Sequence, residues 1–122
     1  MQDKYSRMDK LLDTIVEAID DKKGDNIISL DLTEFDGAIC DTFVICNAES
    51  TTQICSIADG IEEDVQKELQ IRPYRIEGKE NGIWVAMDYG SVMVHIFQTE
   101  MRKFYALEDM WADADLTRYE FE

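Results

Sequence analysis

Ile83-Trp84-Val85-Ala86-Met87-Asp88-Tyr89-Gly90-Ser91-Val92-Met93-Val94-His95-Ile96-Phe97 is the run that decides the fold. Two stretches of β-forming residues flank a polar break at Asp88-Tyr89-Gly90, which predicts a β-hairpin. Side chains alternate between faces along a strand, so Val92, Val94 and Ile96 form one aliphatic face. Ser91, Met93, His95 and Phe97 form the other. That second face is too polar for an uncovered core and too apolar for plain solvent. It suits either the desolvated centre of a protein interface or a face that a helix covers. The side taken by Trp84 depends on register. A two-residue turn at Tyr89-Gly90 pairs Trp84 with His95, whereas a three-residue loop over Asp88-Tyr89-Gly90 moves Trp84 to the aliphatic side. Turn chemistry favours the three-residue loop, because Tyr is a poor residue for positive φ.

Working outward, Ser50-Thr51-Thr52-Gln53 has the form of a capping box, and Ile54, Ile57, Ala58, Ile61, Val65 and Leu69 follow at helical spacing. Pro73 cannot continue that helix. A first helix over residues 6–22 is marked by Met8, Leu11, Leu12, Ile15 and Ile19, with Gly24 supplying a left-handed turn after it. Strands are expected over Asn26–Leu32, Thr42–Cys46, Tyr74–Glu77, Ile83–Met87 and Val92–Gln98. Thr99 caps a short helix through Leu107. The acidic tail, residues 112–122, is expected to fray. The order α-β-β-α-β-β-β-α predicts one α/β domain over residues 1–122, with a mixed sheet of about five strands and flanking helices.

The chain is 45% hydrophobic, long enough for one core, and strongly acidic: 27 acids against 12 bases, net charge −15. Such a surface repels phosphate backbones, so little direct nucleic-acid or anionic-membrane contact is expected, and a basic protein partner suits it. The first residues lack a signal or transit pattern and no apolar run approaches about 20 residues, which predicts a cytoplasmic protein. Cys40, Cys46 and Cys55 match no zinc spacing and suit a reducing compartment.

Catalytic candidates are few. His95 is the sole histidine, no Gly-x-Ser-x-Gly elbow is present, and the six glycines are scattered, not gathered in a phosphate loop. Asp20-Asp21, Glu62-Glu63-Asp64 and Asp113-x-Asp115 are the acid groups available to a divalent ion, and they read as solvated helix faces and tail. No cofactor, metal or catalytic residue is therefore expected.

The run Asp41-x-Phe43-Val44-Ile45, Ser50, Gln53, Ile57-Ala58-Asp59, Glu77-Gly78, Trp84-Val85, Asp88-Tyr89-Gly90-x-Val92-x-Val94-His95-Ile96-Phe97 and Arg102-x-x-Tyr105-x-Leu107-Glu108-x-x-Trp111 resembles the ribosome-silencing factors, also called the Iojap family. The resemblance covers roughly residues 5–111 and is most specific from Glu77 to Trp111. It implies a nucleotidyltransferase-like sheet without that superfamily's Gly-Ser and paired-Asp motif. It further implies a non-enzyme that binds ribosomal protein L-fourteen on the large subunit, blocks joining to the small subunit and represses translation when nutrients are scarce. Carried over by position, the binding residues are Trp84, Asp88, Tyr89, Gly90, His95, Phe97 and Arg102. Asn47-Ala48-Glu49 departs from the family's Gly/Thr-rich loop, and the tail after Trp111 has no assigned counterpart. Off the ribosome a monomer or weak homodimer is expected. Two other readings stay open: a carboxylate-Mg²⁺ nucleotidyltransferase or phosphohydrolase, and an adaptor for large-subunit assembly.

Overall fold

The computed structural model describes the backbone of residues 2–121 and the side chains of residues 10–121. Its elements are α1 (Gln2–Asp21), β1 (Asp25–Asp31), β2 (Thr42–Ala48), α2 (Thr51–Leu69), β3 (Arg75–Glu77), β4 (Trp84–Asp88), β5 (Val92–Gln98), α3 (Thr99–Tyr105), α4 (Leu107–Met110) and β6 (Asp115–Arg118). The six strands form one sheet in the order β3-β4-β5-β2-β1-β6. Among the described strands only β2 and β5 pair in parallel. The connection between them carries α2 and the β3–β4 hairpin, while β1–β2, β1–β6, β3–β4 and β4–β5 are antiparallel. All seven residues of β2 are buried, as its central place in the sheet requires.

One sheet face is sealed by α1 and α2. Ile15 and Ile19 from α1 and Ile54, Ile57 and Ile61 from α2 pack on Val44, Cys46, Val85, Met87, Val94 and Ile96. Met8, assigned to the same stripe, lies outside the described side chains. Ser50 caps α2, its side chain accepting from Gln53 N–H at 3.1 Å. The second half of the capping box is diverted: Gln53 Nε2 donates to the Lys22 and Lys23 carbonyls, tying the start of α2 to the end of α1. Lys23, and not Gly24, takes the left-handed conformation there. Gly24 is needed for space, because a Cβ on it would run into the Ile19 side chain.

The opposite face carries Ile28, Leu30, Phe43, Ile45 and Phe97 beneath Phe35, Met101, Leu107 and Trp111. These covers come from the segment between β1 and β2 and from α3, α4 and the chain just beyond. Gln98, not Thr99, caps α3, its side chain accepting from Glu100 N–H and Met101 N–H. Thr99 Oγ1 instead donates to Glu49 Oε1 and accepts from Asn47 Nδ2.

Over residues 115–119 the tail is paired to the sheet and not frayed. Asp115–Arg118 adds a sixth strand against β1, and Tyr119 continues it with a backbone bond to the Ile27 carbonyl and a 2.9 Å hydroxyl contact to Ser29. Acidic composition concealed the short strand Asp115–Arg118, whose four residues are all exposed and which is held by backbone pairing to β1. Burial pushes the Cys40 thiol up to about 11 and Cys46 up to about 12, so both stay protonated and unreactive at neutral pH. No helix among the described residues is long and apolar enough to cross a membrane.

Candidate partner-binding surface

The β4–β5 hairpin closes on Gly90-Ser91, with Tyr89 N–H bonded to the Val92 carbonyl at 2.9 Å. Gly90 takes φ +86°, and Asp88 Oδ1 accepts from its N–H at 2.8 Å. Neither register anticipated from the turn residues is adopted. Trp84 faces Phe97, Ala86 faces His95 and Asp88 faces Met93. Shifting the turn one residue later gives Gly90 the positive φ and spares Tyr89 that conformation. Trp84 therefore lies on the mixed face, not on the aliphatic one.

The structure brings together three of the expected residues. The Trp84 indole stacks on Phe97, with centroids 4.8 Å apart, and its Nε1–H donates to His95 Nδ1 at 3.1 Å. Phe43 meets the imidazole edge-on at 4.8 Å. His95 is 5% exposed and Phe97 fully buried, so the centre of the mixed face is core. Burial pushes the imidazole down to about 4, which keeps it neutral at pH 7. With Nδ1 accepting from Trp84, the ring's one proton sits on Nε2. No lone pair then remains free to take a proton, so His95 in this arrangement cannot serve as a general base.

Asp88, Tyr89 and Gly90 lie at the other end of β4, about 13 Å from Trp84 at the rise of a strand. Tyr89 turns to the helical side and is buried there, its hydroxyl without a partner among the described residues. Burial raises the phenol well above its ordinary value. Arg102 is 9% exposed and is consumed internally, by Asn47, the Asn26 carbonyl and Glu108.

The open part of the mixed face is its β3–β4 end. Trp84, Ala86 and Asp88 are half-buried, and Arg75 and Glu77 on β3 are exposed. Trp84 continues outward through Tyr105, with centroids 4.8 Å apart, to Phe104 at 5.2 Å. Tyr105 is 47% and Phe104 75% exposed. Sequence reasoning passed over these two as site residues. The available signal was adjacency: two neighbouring aromatics on one short helix cannot both turn inward.

A family model described as ribosomal silencing factor during starvation matches residues 5–122. The chain is 37% identical over 111 residues to Ribosomal silencing factor RsfS of Halalkalibacterium halodurans, covering 91% of this chain and 93% of that protein. A mouse protein named Mitochondrial assembly of ribosomal large subunit protein 1 is 35% identical over 74 residues, 58% of this chain and 32% of its own length. A crystal structure of a protein from Chromobacterium violaceum superposes with a TM-score of 0.80 at 28% identity, covering 85% of each chain. The motif run from Glu77 to Trp111, the mixed six-stranded sheet and these matches agree: the chain belongs to the ribosomal silencing factor family.

Proposed function

We propose that this protein acts in the cytoplasm by docking on the large ribosomal subunit through ribosomal protein L-fourteen. There it obstructs joining of the small subunit and so represses translation when nutrients are scarce. The observation that carries the reading is a run of partly exposed rings, Trp84-Tyr105-Phe104, on a chain of net charge −15. Aromatic anchors supply desolvated contact, and the negative field directs the protein to a basic protein and away from ribosomal RNA. In this reading Trp84, Asp88 and Gly90 touch the partner directly. Tyr89, Phe97 and Arg102 hold those contact residues in place, and buried His95 orients Trp84 by accepting its indole N–H. The chemistry is steric obstruction, with no substrate turned over. The test is co-sedimentation with purified large subunits, followed by light scattering of subunit joining. Saturating protein lowers the yield of joined ribosomes; an unchanged yield overturns the repressor reading.

A second reading, service in large-subunit assembly, is favoured by the name of the mouse relative. Depleting the protein in growing cells separates the two. Accumulated large-subunit precursors support assembly, whereas normal subunits with excess joining during starvation support repression.

A further inference from the structure

We propose that the Nε2–H of His95 is a hydrogen-bond donor reserved for the docked partner, and that the partner's acceptor is a neutral carbonyl oxygen flanked by cationic side chains. The inference rests on the docking reading above and adds the chemistry that the partner must present.

Three observations converge on it. The Trp84 indole occupies Nδ1 at 3.1 Å, which places the imidazole proton on Nε2. That nitrogen is buried and has no acceptor among the described residues. A buried donor left unmatched is costly, so an interface that provides an acceptor gains affinity from a defect of the free protein.

The second observation is access. Of the rings around the imidazole, Phe43 and Phe97 are buried, and Trp84 alone reaches solvent. Directly across the hairpin stands Ala86, a half-buried methyl that leaves the flank of the imidazole thinly covered. Met93, next along the strand on the same face, is also half-buried. Because the two ring nitrogens point apart, Nε2–H is directed away from Trp84, and a partner group reaches it past Ala86 by displacing the flexible, half-buried Met93 side chain.

The third is charge. Glu77 is the cross-strand neighbour of Ala86, and Asp88 lies on the same face of β4. Arg75, also on this face, is bonded to Glu77 at 3.2 Å, so Asp88 is the acid left without an ion pair there among the described residues, and a partner carboxylate would meet it. A main-chain carbonyl carries no such penalty, and a Lys or Arg beside it would meet Asp88 favourably.

The experiment uses the full chain and purified large ribosomal subunits. His95→Phe keeps a flat ring but has no donor, whereas His95→Gln retains one. We expect His95→Phe to bind about tenfold or more weakly than wild type, and His95→Gln to stay within about threefold. Fifteen-nitrogen NMR of the lone imidazole in the free protein should show Nε2 protonated and Nδ1 accepting. Equal binding by His95→Phe, a Gln variant as weak as the Phe variant, or an Nδ1-protonated ring overturns the proposal while leaving docking in place. If His95→Phe fails to fold, the Gln variant and the tautomer decide. If wild type itself does not bind the subunits, the docking reading falls and takes this inference with it.

Discussion

Arg102 on α3 donates through Nη1 to Asn47 Oδ1 on β2 at 2.8 Å, joining two elements 55 positions apart. The same nitrogen donates to the Asn26 carbonyl at 2.6 Å. Nε and Nη2 fork onto the Glu108 carboxylate at 3.3 and 2.9 Å. One guanidinium thus locks α3 and α4 over the sheet, and the rings of Phe104 and Tyr105 are carried by the helix it locks. A residue implied by resemblance to meet a partner is placed where it positions those that can.

Arg102→Ala is therefore expected to act on stability first. It removes the donor to the Asn26 carbonyl, leaves Asn47 Oδ1 only the 3.3 Å bond from Asn26 Nδ2, and unpairs a carboxylate only about a quarter exposed. The cost should be about 2–3 kcal/mol, below that of a fully buried pair because Glu108 retains some water. Arg102→Lys should recover only part, since one ammonium cannot reproduce the fork. Urea unfolding measures both. An Ala variant as stable as wild type would refute the positioning role.

Phe97 and Phe104 should behave oppositely. Phe97 is 0% exposed, so Phe97→Ala should cost about 3–5 kcal/mol of stability. Phe104 is 75% exposed, so Phe104→Ala should leave stability within about 0.5 kcal/mol. As an interfacial anchor it should nonetheless weaken large-subunit binding by about thirtyfold, some 2 kcal/mol. Thermal melting and subunit binding, recorded for each variant, check the pair. Full binding by Phe104→Ala would move the contact surface elsewhere.

The contrast between these two residues shows how far the sequence could be read. Alternation along Val92–Phe97 correctly separated two faces, because period two is a property of any strand. It could not say what lies above the mixed face. The cover comes from Phe35, in the segment between β1 and β2, and from Met101 and Trp111, which reach this face only because α3, α4 and the chain beyond fold back over the sheet. Register was hidden for a different reason. Several turn placements around Gly90 satisfy local chemistry, and packing of Trp84 on Phe97 selects one of them. The last strand was hidden by composition, since its acidic setting masks a pairing made good only by the free edge of β1.

His95 should make stability pH-dependent in a defined window. Its folded imidazole titrates at about 4, and the unfolded one near 6.5. Between these values the unfolded state binds more protons, so stability is complete above about 6.5 and falls as pH drops toward 4. The loss on going from pH 7 to pH 5 should be roughly 2 kcal/mol. His95→Phe removes the titrating group and should flatten that part of the profile. Urea unfolding at pH 7, 6 and 5 on both proteins measures it, and parallel profiles would show that other groups dominate.

The β1–β6 edge carries a like-charge opposition that should be tunable. Asp31 and Asp115 are cross-strand partners, so their side chains share a face at the open end of the pair. Thr33 donates to Asp31 from both its hydroxyl and its backbone N–H, which holds that carboxyl below its usual value and keeps it ionised. Asp31 therefore stays charged throughout the neutral range, opposite Asp115. Both residues are exposed, and solvent screens them, so the effect is small. Asp115→Lys converts the repulsion into an attraction and should stabilise the edge by a few tenths of a kcal/mol, at most about 1. Amide exchange at Thr117 and Arg118 is the sensitive readout, because β6 is the outermost strand and opens locally before the sheet does. Protection should rise in the Lys variant at low salt, and the gain should shrink in 0.5 M salt as screening removes it. In wild type the salt dependence should run the other way, with β6 better protected at high salt. Equal protection in both proteins at every salt concentration would mean that the two side chains splay apart, and that backbone pairing and the Tyr119–Ser29 contact alone hold the strand.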